Sequence, residues 1–473
     1  HEDCRRQRQM CIRDRDEGKI TSKLTIGADL SKAQPLFSNE NLASRGVALH
    51  GAGFILTPKE AADLGLGRIK DLANYILDYR HGRDLASRPR GVKVIDLHGL
   101  SAAEVLKRFP AVYQHLVEKV KPERDQNNEK YRRENWWLFG RKHTDLRDFL
   151  ADQVRYISTP ETAKHRFFQF LDGNIRPDNM LVSAGLSEAL YLSILSSRFH
   201  FVWAVNLGGW LGVGNDARYN KTRCFDPFPF PILTDEQSAK LDQLGERLDM
   251  FRKERLAEHD FLTMTDMYNV LERLRELEQG VGEPFSQKER DIHEAGLISV
   301  LKDIHDDIDR EVFAAYGWED LGARLVGRPG ATTPSPHKSE DQEAAEEELL
   351  MRLVALNQER AAEEKRGLVR WLRPEYQKPR LAHKVKGQDD LDIDLVEAGV
   401  VEERVWPKEE REQFAIMRDV LVEAEAPLAA EALAALFKGR NTPKRKQRVA
   451  RVLEIMADMG GARRGEDGYF LPR

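Results

Sequence analysis

This chain has few cysteines, no long apolar run and none of the short motifs that announce catalysis. Each absence narrows what it does. Three cysteines in 473 residues, at no metal-ligand spacing, give neither a disulfide framework nor a zinc site and point to a reducing cytoplasm. No window approaches the roughly 18 uninterrupted apolar residues of a membrane helix, so no transmembrane segment is expected. The opening residues place no apolar stretch after their charges, unlike a secretory signal. There is no His-Glu-x-x-His, no P-loop and no nucleophile elbow. The 13 histidines are scattered, and His165 and His200 read as core or surface residues ahead of metal ligands. Asp96 and Glu104 lack the flanking Glu-x-Lys of a nuclease.

What is present is charge, unevenly spread. Charged residues make up 32% of the chain and the net charge is only −5. Residues 81–230 and 438–464 nevertheless carry local basic excess, and helices between them are acidic. Local basic excess is what phosphate binding needs.

The Arg-rich opening, RRQRQMCIRDR (residues 5–15), has the composition of a basic nucleic-acid arm, while Asp14, Asp16 and Glu17 spoil the acid-poor composition of a presequence; a third reading is favoured over both. It reads as the translation of an adaptor used in transposase-based library preparation. The natural sequence is then expected to begin near Asp16, and the chain to be a C-terminal fragment with Cys224 as its one native cysteine.

Along the chain, Pro58 opens a helical stretch where a first turn tolerates proline. Ile69, Leu72, Ile76 and Tyr79 fall at helical spacing and predict a helix ended by Gly82. Val92, Val94 and Leu97 mark a short strand, and Ser101 with Glu104 a capping box. Strand-like RYISTPE, HRFFQFLDG and NMLVSAG precede an apolar helix from Leu186. The fold class is therefore α+β, with a mixed α/β domain over residues 81–232. Long amphipathic helices follow over 234–275 and 287–316, with Leu241, Leu244, Leu248 and Phe251 on one face. VGRPGATTPSPHKSED reads as a linker, and LVRWLRPEYQKP as an extended docking segment. Three helices and a hairpin at the end describe a winged helix-turn-helix, completing a multi-domain chain.

Two stretches invite a catalytic reading. The glycines of NLGGWLGVGND (206–216) follow an apolar helix instead of a strand, so a tight turn is expected ahead of cofactor binding. Asp226-Pro227-Phe228 lacks the second proline of the Asp/Asn-Pro-Pro-aromatic motif by which methyltransferases hold a flipped base, and reads as a domain-ending turn. Binding features are richer. Arg124, Asn127, Asn128, Arg132 and Arg133 stand beside Trp136 and Trp137. Lys164 and Arg166, then Arg218, Tyr219, Lys221 and Arg223, repeat the mixture. Arginine reads guanine edges, asparagine reads adenine, and both hold phosphates. Tryptophans in a core under solvated charges would look the same one residue at a time; the three clusters together point to DNA. In the last unit Lys444, Arg445, Lys446, Arg448 and Arg451 crowd the third helix, opposite Val449, Val452, Leu453 and Met456. That is where a recognition helix faces the major groove, and a protein-docking winged helix fits as well.

The runs RFPAVYQHLVEKVKPERDQNNEKYRRENWWLFG, RYISTPETAKHRFFQFLDG and GVGNDARYNKTRCFDPFPFP resemble the target-recognition region of large bacterial class I DNA methyltransferases. These belong to type IIG-like restriction-modification and DISARM-like phage-defence systems. LLMRLVALNQERAAEEKRGLVRWLRPEYQ resembles the helical part that follows it there. The resemblance implies S-adenosylmethionine as cofactor of the parent, with the catalytic motifs upstream of this sequence, and adenine-N6 as methyl acceptor. It implies double-stranded DNA, the methyltransferase domain and other defence subunits as partners. It carries DNA contact to Arg124, Asn127, Asn128, Arg132, Lys164, Arg166, Arg218, Tyr219, Lys221 and Arg223. On this reading residues 1–15 are adaptor-derived, 16–80 a connector and 81–232 the target-recognition domain. Residues 233–326 are a helical brace, 327–343 a linker, 344–400 a helix with its docking segment and 401–473 the winged-helix-like unit. A self-contained DNA- or RNA-binding adaptor is the alternative.

Overall fold

The computed structural model describes residues 28–211 and 216–381, and in the remainder 406–407, 413–414, 416–418, 421, 433, 437, 443–458, 463–465 and 468–470. The chain divides into two compact units, residues 1–390 and 391–473, and the fold is α+β. In the first unit an antiparallel sheet has the order β1 (Ala43–Arg45), β9 (Leu181–Ala184), β5 (Arg155–Pro160), β7 (Gln169–Asp172). A second sheet orders β2 (Ile55–Leu56), β4 (Lys93–Ile95), β3 (Ile76–Arg80) and β8 (Arg176–Pro177), the last pair parallel. A small third sheet joins β10 (Trp210–Leu211), β11 (Asp216–Arg218) and β6 (Thr162–Ala163).

Strands β5 and β9 are buried on both faces, so they lack the polar alternation of a half-exposed strand. Ser158 and Ser183 are register partners whose hydroxyls lie 2.6 Å apart, and the Thr159 hydroxyl donates to the Phe167 carbonyl at 2.7 Å. The expected helix through Ile69–Tyr79 is instead a single 3-10 turn, Leu72–Asn74, followed by the strand β3, hydrogen-bonded on both edges to β4 and β8. The Tyr79 hydroxyl donates to Asp178. Two flanking partners outweigh a weak local helical preference. The capping box of Ser101 and Glu104 is present as read, and a second at Thr57 and Glu60 opens the helix Pro58–Asp63.

The apolar stretch after Leu186 forms two helices, Ala189–Ser196 and Arg198–Gly208, parted at Ser197. The N–H groups at their starts are met by carboxylates of other helices. Asp242 accepts from Ala189 and Leu190 at 2.8 and 3.2 Å, and Asp309 from Arg198 at 2.7 Å. An acidic side chain there satisfies orphan donors and complements the helix dipole. The helix Asp235–Glu258 approaches Ala189–Ser196 at Gly245, where a Cβ would stand 2.1 Å from the Ala189 carbonyl oxygen. Leu241, Leu244 and Leu248 are buried along it, as the spacing predicts, and Phe251 is half-buried.

One hydrophobic core runs from Ala28 to Tyr376, through the positions 80, 232 and 326 at which divisions are expected. The stretch read as a linker is bound down. Glu272 accepts from Gly330 N (2.6 Å), Thr332 N (3.1 Å) and Thr332 Oγ1 (2.9 Å), and Thr332 is buried. The stretch read as an extended docking segment is helical over Pro374–Leu381, with Tyr376 and Gln377 buried; Trp371 packs with Val369, Leu381 and Phe37. In the second unit Val449, Val452, Leu453 and Met456 of the helix Pro443–Asp458 pack with Met417, Leu421, Leu433 and Phe437. A hairpin of β12 (Arg463–Gly465) and β13 (Gly468–Phe470) follows. The two earlier expected helices fall largely outside the described residues.

Candidate nucleic-acid interface

A cleft of about 640 Å³ opens where β1, the loop after β8 and β11 meet. Its basic wall is Arg45, Arg141, Arg218 and Lys221, with His50 and His143 beside them. Strand β1 pairs with β9, so that Arg45 stands opposite Val182. Gly46 follows because nothing larger fits: a Cβ there would lie 2.2 Å from the Pro177 carbonyl oxygen and 2.3 Å from that of Asp178. Strand β11 pairs with β6, so Arg218 stands opposite Thr162, the neighbour of Glu161.

Glu161 is the hub. Its carboxylate is buried and accepts Arg218 Nε and Nη2 at 2.8 and 2.6 Å, and also Arg45 Nη2. Arg45 Nε donates to the Asn179 carbonyl oxygen at 3.0 Å. Both guanidiniums are held in place yet remain open to the cleft. Lys221 pairs with Asp226 at 3.1 Å. Arg132 borders the same wall, its Nη2 at 3.3 Å from His50 Nε2. Burial, then the charges of Arg132, Arg124 and Arg141, lower the His50 pKa. Burial followed by Arg147 does the same to His143. His143 Nε2 accepts from Ala48 N at 2.9 Å, which places the proton of the neutral ring on Nδ1.

Three of the ten sequence-read contacts are corrected. Arg124 is buried and donates to the carbonyl oxygens of Leu49 (2.8 Å) and Leu138 (3.2 Å). Arg166 is buried against Thr159 Oγ1 (3.0 Å), the Ala217 carbonyl (2.8 Å) and the Pro160 carbonyl. Burial brings its pKa down to about 10. Tyr219 is buried with its hydroxyl 2.8 Å from His200 Nε2. These side chains present no surface to a phosphate or base; Arg166 and Tyr219 brace the strand that carries Arg218, and Arg124 ties down the chain at Leu49 and Leu138. Asn127 turns its own loop, accepting from Glu129 N at 2.9 Å, while Asn128 and Arg223 are exposed. Lys164 is exposed and donates to Asn269 Oδ1 at 2.6 Å. Trp136 belongs to the core.

Arg45, His50, Arg141, His143 and Glu161 escape sequence reading, because single charged residues in loops and short strands carry no period. The rejected motifs have structural jobs. Of the glycine run, Gly208 ends the helix Arg198–Gly208 and Gly209, at φ +100°, leads into β10, which pairs with β11; Gly212 and Gly214 lie outside the described residues. Carbonyls around Asp226 are taken by Asn39 and Asn357. Asp96 is buried, bonded twice by Arg147 (2.8 Å each) and once by Arg176 (2.9 Å). Among the described residues no cluster of histidine, cysteine and carboxylate side chains suits a metal ion. No helix among them is long and apolar enough to cross a membrane.

In the second unit Arg445 Nη1 donates to the Phe437 carbonyl at 3.0 Å and Arg448 Nε to Gln413 Oε1 at 3.0 Å, while Arg451 is exposed. Lys444 and Lys446 lie on the same helix.

No protein-family model matches this chain, and no curated protein matches it. Among solved structures it is similar to the type IIL restriction-modification enzyme MmeI in complex with DNA, at 16% identity and a TM-score of 0.48 over 73% of this chain and 39% of that one. It is also similar to the type IIG restriction endonuclease BpuSI, at 14% identity and a TM-score of 0.27 over 61% of this chain and 32% of that one. The chain thus spans well under half of either protein, and at these scores neither alignment establishes a shared fold.

Proposed function

We propose that residues 28–381 are the DNA-reading part of a site-specific DNA adenine-N6 methyltransferase of a restriction-modification or phage-defence system. Methyl transfer and S-adenosylmethionine binding belong to a catalytic domain of the parent outside this sequence, and this stretch alone is not catalytic. The supporting observation is the cleft, whose lining brings together Arg45, Arg141, Arg218 and Lys221, with Arg45 and Arg218 paired to the buried Glu161 carboxylate. Arg45, Arg141, Arg218 and Lys221 outnumber the Asp145 and Glu161 carboxylates along this lining, and a net positive wall suits a polyanion. The helix Pro443–Asp458 adds a second duplex contact through Lys444, Lys446 and Arg451.

Fluorescence anisotropy with labelled duplex DNA tests this: binding that weakens steeply with salt is expected, and none at low salt overturns it. Sequencing the genomic DNA upstream of the Asp16 codon tests the parent. An open frame with a cofactor loop and an Asn-Pro-Pro-aromatic motif supports the methyltransferase. A stop codon followed by a start near residue 16 favours the self-contained adaptor.

A further inference from the structure

We propose that Arg45, Glu161 and Arg218 form a base-reading unit in which one buried carboxylate presents two guanidinium forks to two guanines; this rests on the DNA-recognition reading above. The argument is one of donors and charge. Arg218 spends Nε and one N–H of Nη2 on Glu161. Arg45 spends Nε on Asn179 and one N–H of Nη2 on Glu161. None of these bonds uses Nη1 of either residue, so each keeps an end-on pair, Nη1–H and Nη2–H, for a ligand. The side chains are 50% and 40% exposed, against 5% for Glu161, so the exposed end is the one left over.

A phosphate site is built differently. It gathers net positive charge and tolerates mobile side chains, since attraction to a phosphate is hardly directional. Here the shared carboxylate cancels one of the two charges and fixes both planes. That weakens attraction to any polyanion and leaves two rigid, directional pairs of donors. The matching ligand is a pair of adjacent acceptors on one base edge, which is guanine O6 and N7 in the major groove. The bracing below fits this demand for rigidity. Arg166 holds the Ala217 carbonyl beside Arg218, and Tyr219 N donates to the Glu161 carbonyl at 2.7 Å.

The test selects binding sites from a randomised duplex pool with the 473-residue chain, and measures salt dependence for wild type, R45K, R218K and E161Q. Lysine keeps the charge and loses the fork. R45K and R218K are each expected to lose roughly ten- to a hundredfold of the preference for guanine at one position, with non-specific affinity and salt slope unchanged. E161Q, which removes the shared anion, is expected to lose both preferences while binding random duplex several-fold more tightly and with a steeper salt slope. A uniform loss of affinity in the lysine variants, or an unaltered motif, overturns the assignment and leaves the DNA-recognition reading standing. If the wild-type chain binds no duplex, that reading falls and the assignment with it.

Discussion

Arg45 and Arg218 reach the same carboxylate, that of Glu161, from strands of two different sheets. Their guanidiniums are thereby held side by side at one wall of a cleft, although like charges repel. A buried anion between two cations is worth more than the same pair in water, because the protein around it screens less. The relationship ties function to packing: whatever loosens Glu161 loosens both arginines.

Charge on the same wall that is not so anchored should behave differently. Arg141→Gln is expected to weaken every duplex alike and to lower the salt slope by about one. Anisotropy titrations at several salt concentrations check this; a change in sequence preference would count against a phosphate role.

Gly46 tests the backbone beneath Arg45. In Gly46→Ala the new methyl meets the Pro177 and Asp178 carbonyl oxygens, atoms that cannot rotate aside. The strand must shift, at about 1–3 kcal/mol, and Arg45 with it. Urea unfolding should show the loss, and duplex binding should fall in parallel.

Arg275 is buried between Glu272 (3.0 Å) and Asp306 (2.9 Å), and Glu272 in turn holds the segment around Gly330 and Thr332. Arg275→Met takes the cation from buried Glu272 and leaves Asp306 with Lys302 alone, at 3.3 Å. Breaking such a pair costs about 3–5 kcal/mol. A urea midpoint within experimental error of wild type would show that the cluster contributes little.

Acid should destabilise the first unit through histidine. Burial takes His200 down to about 3, against about 6.5 in an unfolded chain. The unfolded state therefore binds more protons below pH 6.5, and stability falls as pH drops from there towards 3. At pH 5 the cost is about 2 kcal/mol for this one residue. Comparing urea midpoints at pH 7 and pH 5, His200→Gln should lose less on acidification than wild type. An equal loss would place the acid sensitivity elsewhere.

Much of the first unit's helical framework is legible from residue order. The capping box at Ser101 and Glu104, the face of Leu241, Leu244 and Leu248, and the Pro58 helix start follow from contacts three or four residues apart. So does the inner face of Val449, Val452, Leu453 and Met456. Local chemistry of this kind needs no knowledge of what packs across from it.

The strand at Ile76–Arg80, the bound-down loop at Gly330–Thr332 and the sorting of arginines could be decided only in three dimensions. Arg124 and Arg166 share the basic and aromatic surroundings of Arg218, yet those two are buried while Arg218, with Arg45, opens into the cleft. A sequence shows that a guanidinium is present. Whether its donors meet backbone carbonyls or remain free for a ligand depends on which distant strand folds over it, and that is set by the pairing of β1 with β9 and of β11 with β6.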